Sequence, residues 1–309
     1  MNPGRLRPEP DSKTCMGSSL PRAVAVALIG VSGLALGAGA VADDTKGPLK
    51  VCADPDSLPQ SNTNGEGYEN RIAEKLASDL GQKVQYTFFP QRMGFVRNTL
   101  RQKDENGQFK CDVIIGVPKG YELTATTQPY MHSTYAIVLP VRGKLASIQS
   151  PGDLLKLPPE QLQTLKIGTF VRSPGVDWLL RNKMLDQAVY YVQQSGDIHE
   201  NPAVMVERDL VAGTIDLAVA WGPVAGYLAG RHSGPNGWRT IAFKPEPGIT
   251  FDYEISMGVR FGEKEWKDTL DAWIAGHRRE INEILVSYGI PLVADQGNSI
   301  APAAKDSTM

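Results

Sequence analysis

The pattern that most limits this chain is an alternation of short apolar runs with amphipathic helical stretches, written out once and then begun again. Leu49-Lys50-Val51-Cys52-Ala53 reads as a buried strand stopped by Asp54-Pro55. A helix follows, with Ile72, Ala73, Leu76 and Leu80 on one face and Gly81 at its stop. Val84–Phe89 alternates as a strand; Phe95, Val96, Thr99 and Leu100 mark a second helix, closed by the turn Glu105-Asn106-Gly107. Cys111–Gly116 is another buried strand, and strand-helix-strand-helix-strand calls for right-handed crossovers and a parallel sheet. After a strand at Ser133–Pro140 the pattern restarts, with strands at 166–170, 189–192, 216–221 and 240–243 and helices near 175–184, 202–212 and 223–230. Tyr253–Arg260 leads back, and one long amphipathic helix closes the chain, its stripe Trp266, Leu270, Trp273, Ile274, Ile281 and Leu285 ending at Gly289-Ile290-Pro291. The fold class expected is α/β with two parallel-sheet lobes, residues 43–139 and 254–293 forming lobe 1 and 140–253 an inserted lobe 2. Two crossing segments leave a cleft at the carboxyl ends of both sets of strands, where open α/β sheets bind ligands.

The residues ahead of the first strand read differently. Arg5, Arg7, Lys13 and Arg22 precede the apolar run Ala23–Ala42, which ends in Ala40-Val41-Ala42 before Asp43-Asp44. Twenty uncharged residues are long enough to span a bilayer, but the glycines, the small-residue taper and the missing basic stop-transfer cluster favour a cleaved signal peptide, residues 1–42. The basic region is long enough for Met16 to be the start, and Cys15 precedes the apolar run, so it is no lipid anchor. Cleavage moves the formal charge from −2 to −4, a balance that points neither to nucleic acid nor to an anionic membrane surface. Only Cys52 and Cys111 remain, on strands expected to be neighbours; in an oxidising compartment they are a disulfide candidate, provided the register is offset. The tail 294–309 is small and polar and is expected to be poorly ordered.

From about Leu49 to Ile290 the chain resembles the type II periplasmic binding-protein fold of polar amino-acid receptors (solute-binding protein family 3). The resemblance rests on Leu49–Pro59, Gly65-Glu66-Gly67-Tyr68-Glu69, Thr127-Gln128-Pro129-Tyr130, Gly213-Thr214-Ile215-Asp216 and Ala220-Trp221-Gly222-Pro223. That family holds the ligand carboxylate with an arginine, whose fork fits two oxygens. The corresponding stretch here is Lys119-Gly120-Tyr121-Glu122, with no arginine, and Trp221 stands where the family places an aspartate for the ligand ammonium. Ordinary amino-acid binding is therefore not expected. The helix start at Ser173-Pro174-Gly175 offers backbone amides to an anion, less the one that Pro174 lacks.

Longer runs resemble the J components, MxaJ/XoxJ-like binding-protein relatives encoded beside PQQ-dependent methanol dehydrogenases, especially the lanthanide-type enzymes. These runs are Val51–Pro55, Gly65–Ala73, Pro90–Leu100, Cys111–Pro118 and Ser133-Thr134-Tyr135. The resemblance implies a periplasmic accessory protein, with no cofactor of its own, that assists a quinoprotein dehydrogenase through a contact that need not be lasting; a small molecule or peptide segment in the cleft is the other implied ligand.

The cleft and partner candidates each carry two readings. Asp54 either points into the cleft or caps the turn before Pro55. Glu66, Tyr68 and Glu69 sit at a Gly-rich helix entry and either act or only cap. Gln91, Arg92 and Arg97 line the cleft mouth or form a solvated face. Trp221 is a stacking platform or core, and Tyr121, Tyr130 and Ser173 complete the set. His132, His199, His232 and His277 lack metal-ligand spacing, no Cys-x-x-Cys occurs, and no nucleophile elbow, phosphate loop or dinucleotide fingerprint is present. Three functions stay open: a dehydrogenase accessory, a transporter receptor for a small solute, and a lyase using Asp54, Glu66 or Glu69 as base. The last would require a carboxylate with a raised pKa deep in a dry cleft.

Overall fold

The computed structural model describes residues 47–193 and 201–294; the segment 1–42 expected as a signal peptide, His199 and the tail from 295 lie outside the described residues. In chain order the elements are β1 Leu49–Ala53, β2 Asp56–Ser57, β3 Ser61–Asn62, α1 Tyr68–Leu80, β4 Val84–Phe88, α2 Phe95–Asn98, β5 Val113–Pro118 and β6 Ala125–Pro140. They continue with α3 Pro159–Gln163, β7 Ile167–Phe170, α4 Pro174–Arg181, β8 Ala188–Tyr191, α5 Pro202–Val211, β9 Leu217–Trp221 and α6 Gly222–Arg231. The last are β10 Trp238–Ala242, β11 Asp252–Val259, α7 Lys264–Gly276 and α8 Arg278–Ser287.

The strand order β4-β1-β5-β11-β6-β9-β7-β8, with β10 also on β6, contains two sheets sharing one long strand. In lobe 1, β4, β1 and β5 are parallel, and β11 and the first half of β6 close the sheet antiparallel. In lobe 2, β8, β7 and β9 are parallel, with the second half of β6 and then β10 antiparallel beside them. The sheets are thus mixed, and parallel only in their outer strands, because the crossing strands must run back along both. The crossing strand is also longer than the expected Ser133–Pro140: it starts at Ala125 and runs for 16 residues.

Apolar side chains cover both faces of each sheet. In lobe 1, Ile72, Leu76, Val51, Ile115, Met257, Leu270 and Ile274 fill one face, and Phe95, Val96, Leu100 and Ile114 the other. In lobe 2, Ile137, Ile167, Trp178 and Val219 stand opposite Ala136, Val206, Ala218 and Ala225. Met205 and Met257 are buried.

Two helices differ from expectation. The second stops at Asn98, because the Thr99 hydroxyl donates to the Phe95 carbonyl at 2.7 Å and its backbone turns to φ −124°, ψ −85°. The closing helix breaks at His277, φ −119°, after Gly276. That imidazole stacks 4.8 Å from Trp273 and reaches Asp79 on α1 at 3.2 Å, so it is a junction residue. The disulfide Cys52–Cys111 is present, with Cα atoms 5.4 Å apart. The offset it needs comes from Cys111 preceding β5, while Cys52 lies opposite Ile114.

Candidate functional site

The carboxyl ends of β1 and β5 build the lobe-1 wall. Asp54 leaves β1 with both carboxylate oxygens engaged: Oδ1 accepts from the Asp56 amide at 2.9 Å, and Oδ2 from the Gln91 amide. Of its two readings the capping one describes the geometry. The carboxylate fastens the turn after β1 to the loop after β4.

The Gly-rich entry to α1 is organised by Asn70, whose Oδ1 accepts from the amides of Gly67 and Asn62, each at 3.1 Å. Glu66 is exposed and accepts from Asn62 Nδ2 at 2.6 Å, so it braces this turn. Tyr68 and Tyr130 lie inside the α1 core cluster, away from any solvent-facing wall. A residue-pattern argument misses this, because helix position alone does not say which aromatic turns inward.

Glu69 is only 8% exposed. Its carboxyl lies against Gly116 on β5, where a Cβ would come within 2.2 Å of Oε1. Burial, and then the Asp54 carboxylate, push its pKa up to about 8, partly offset by a hydrogen bond with Tyr68. The side chain is therefore a protonated acid at neutral pH. This is the raised-pKa carboxylate that a lyase reading requires, but it is packed on main chain.

Three rings meet where the lobes join. Trp221, half-buried at the end of β9, lies 5.5 Å from Tyr135 on β6 and 5.8 Å from Tyr253 on β11; Tyr135 and Tyr253 are 6.4 Å apart. The interplanar angles of 58°, 62° and 75° are edge-to-face or tilted geometries, each pair worth about 0.5–1.5 kcal/mol. Tyr253 is 38% exposed and was not apparent from sequence. Its neighbours Trp221 and Tyr135 come from strands far apart in the chain, and only the register of β6 against β9 and β11 brings them together.

Beside the rings, a concavity of about 330 Å³ is lined by Pro118, Lys119, His132, Asp252, Tyr253 and Glu254. Its polar side chains are paired: Lys119 with Glu254 at 2.7 Å, and the His132 ring with Asp252 at 2.8 Å. Lys119 stands in the stretch where amino-acid receptors carry their arginine, and Glu254 already occupies it. A larger concavity of about 660 Å³, lined by Pro48, Gln82, Arg260 and Trp266 among others, lies at the amino ends of β1 and β5. Ligands of such sheets bind at the opposite end, so the smaller site is the functional candidate.

The remaining candidates scatter. Ser173 and Gly175 are buried at the start of α4; Ser173 makes no cap and faces Thr169 Oγ1 at 3.4 Å, which leaves the helix start covered. Tyr121 packs against the cluster around Cys52 and Cys111. Gln91, Arg92 and Arg97 are exposed together after β4. Among the described residues no group of three metal-ligating side chains occurs, and no helix is long and apolar enough to cross a membrane.

Two lobes on shared crossing strands, with an aromatic junction at the strand ends, define a type II periplasmic binding-protein fold. No family model matches the chain. Protein MoxJ of Paracoccus denitrificans is 37% identical over 276 residues, which cover 85% of this chain and 95% of that protein. The chain belongs to the MoxJ family. The crystal structure of periplasmic binding protein XoxJ from Methylobacterium extorquens AM1 shares 31% identity and a TM-score of 0.62 over 80% of this chain and 100% of that one. That of MxaJ from Methlophaga aminisulfidivorans MPT has a TM-score of 0.63 over 79% of this chain and 100% of that one, at 24% identity, a likeness of fold.

Proposed function

We propose that this protein is a periplasmic, non-enzymatic accessory of a PQQ-dependent, lanthanide-type methanol dehydrogenase, assisting its assembly or activation. The observation that carries the proposal is membership of the MoxJ family at 37% identity across nearly the whole relative. Residues 43–139 with 254–293, and 140–253, serve as the two lobes, and the working surface lies between them. There the charges that would recognise a free amino acid are absent or already paired, while Trp221 and Tyr253 offer aromatic area. Aromatic anchors of this kind dominate protein interfaces, so a segment of the dehydrogenase suits the site better than a small zwitterion.

The test is a deletion strain complemented with wild type or with Trp221→Ala/Tyr253→Ala. Dehydrogenase activity and PQQ per enzyme should fall on deletion, return with wild type, and return only in part with the double variant. Unchanged activity and PQQ, together with loss of uptake of some solute, would make the protein a transporter receptor instead.

A further inference from the structure

The segment between β4 and β5 carries a feature that the cleft does not use. Residues 90–110 hold five cations, Arg92, Arg97, Arg101, Lys103 and Lys110, against two acids, Asp104 and Glu105. With the chain's total at −2, this local +3 leaves −5 for all the rest. All five cations are exposed. Elsewhere in the molecule basic side chains commonly meet an acid, as in Lys75–Asp79, Lys119–Glu254, Arg231–Glu207 and Arg260–Asp112. Among the described residues none of these five does: Arg101 donates to the Leu123 carbonyl at 2.7 Å, and Lys103 lies 4.8 Å above the Phe109 ring. Of the acids, Asp104 is taken up by the amides of Asn106 and Gln108, both at 2.9 Å.

The segment is a fixed projection. Phe95, Val96 and Leu100 are buried beneath it, the Lys110 amide donates to the Gln102 carbonyl at 2.9 Å, and Cys111 is bonded to Cys52. At its leading edge stands Met93, 94% exposed. The turn that presents it is closed by the Asp54 carboxylate on the Gln91 amide, by Phe95 N–H on the Arg92 carbonyl at 2.9 Å, and by Gly94 at φ 90°. A single exposed apolar residue is ordinary. A methionine held out on a fixed turn among unpaired arginines has the composition of an interface core, where Met and Arg are enriched.

We infer that this flank of lobe 1 is a docking surface for an acidic protein face, with Met93 as its apolar anchor and Arg92, Arg97 and Lys110 among its steering cations. The partner is a protein and not a lipid surface, because the flank offers one apolar tip and only the four-residue helix α2, whereas interfacial binding to membranes needs an extended apolar helix face. Its cations are complementary to an acidic patch and raise the rate of encounter. The inference rests on the reading that the partner is the dehydrogenase, and it adds an outer contact that does not involve the cleft.

The experiment uses the mature protein and the methanol dehydrogenase purified from a strain deleted for it, with binding followed by biolayer interferometry across roughly 20 to 200 mM salt. Arg92→Glu/Arg97→Glu/Lys110→Glu should slow association about tenfold or more at low salt, and Met93→Ala should speed dissociation several-fold. Arg142→Glu/Lys166→Glu/Lys244→Glu, equal in charge change and exposed away from the flank, should stay within about twofold of wild type. All variants should melt with the wild type. Wild-type binding that the flank triple and the control triple alter equally overturns the docking surface and leaves the accessory reading standing. No binding by the wild type overturns both. Charge-dependent binding to phosphatidylglycerol vesicles, with none to the dehydrogenase, makes the flank a lipid surface and overturns the inference.

Discussion

Glu69 shows how far a single side chain departs from what its place in the chain implies. As an acid in the first turn of α1 it looks like ordinary helix capping, and nothing local in the sequence marks it as buried. Its burial is tertiary: β5 arrives with Gly116, whose missing side chain leaves the space that the carboxyl fills. The pH dependence follows from its pKa of about 8 in the fold against 4.5 as the ordinary value. Below the lower value both states hold the proton, and Glu69 adds no slope. Between the two the folded state keeps a proton that the unfolded chain has lost, so stability falls as pH rises, and above the upper value the slope vanishes. The full span is on the order of 5 kcal/mol. Glu69→Gln should therefore match wild type near pH 5 and exceed it by roughly 4 kcal/mol near pH 8.5 in urea unfolding. Parallel stability profiles for the two proteins would contradict the buried-acid assignment. Gly116→Ala forces the carboxyl out of its space and should cost about 1–3 kcal/mol, measured the same way.

Elements were legible where periodicity is long and unambiguous. The α1 stripe, the β5 run and the second βαβ series appear within three residues of the expected bounds, because each buries a complete face. The departures have local causes that apolar pattern does not encode: the Thr99 hydroxyl on the Phe95 carbonyl ends α2, and His277 turns from helix surface to join Trp273 and Asp79. The β6 strand was half-read because Thr126, Thr127 and Gln128 look like loop, although pairing with β11 makes them strand. The disulfide belongs to this scale. It ties β1 to the turn before β5 across a separation of 59 residues, under the Phe95–Leu100 cluster. Replacing both cysteines by alanine should lower stability by about 2–4 kcal/mol and loosen the projection that carries Met93. Intact mass with and without reductant gives the prior check, since two alkylatable thiols in exported protein would remove the bond from the account.

At the scale of the molecule, the candidate site was only partly visible in the sequence. Trp221 stood out as a departure from the amino-acid receptors, whereas Tyr135 and Tyr253 did not, since their proximity depends on β6, β9 and β11 meeting where the lobes join. The lobes also touch through Asn201, which caps α5 through the Val204 amide at 3.1 Å and donates to the Asp56 carbonyl at 3.2 Å. With Lys119 held by Glu254 and no cation left over in that stretch, free α-amino acids should not bind more tightly than about 10 μM, or about −7 kcal/mol, in calorimetric titration. The central claim is that the partner is a dehydrogenase, and reconstitution tests it most directly. Dehydrogenase is purified from a strain lacking this protein, incubated with PQQ and lanthanide, with or without the mature protein, and its specific activity is measured. The account predicts low activity alone and recovery only when the protein is added. Dehydrogenase that is already fully active from the deletion strain, and unchanged by addition, would contradict it.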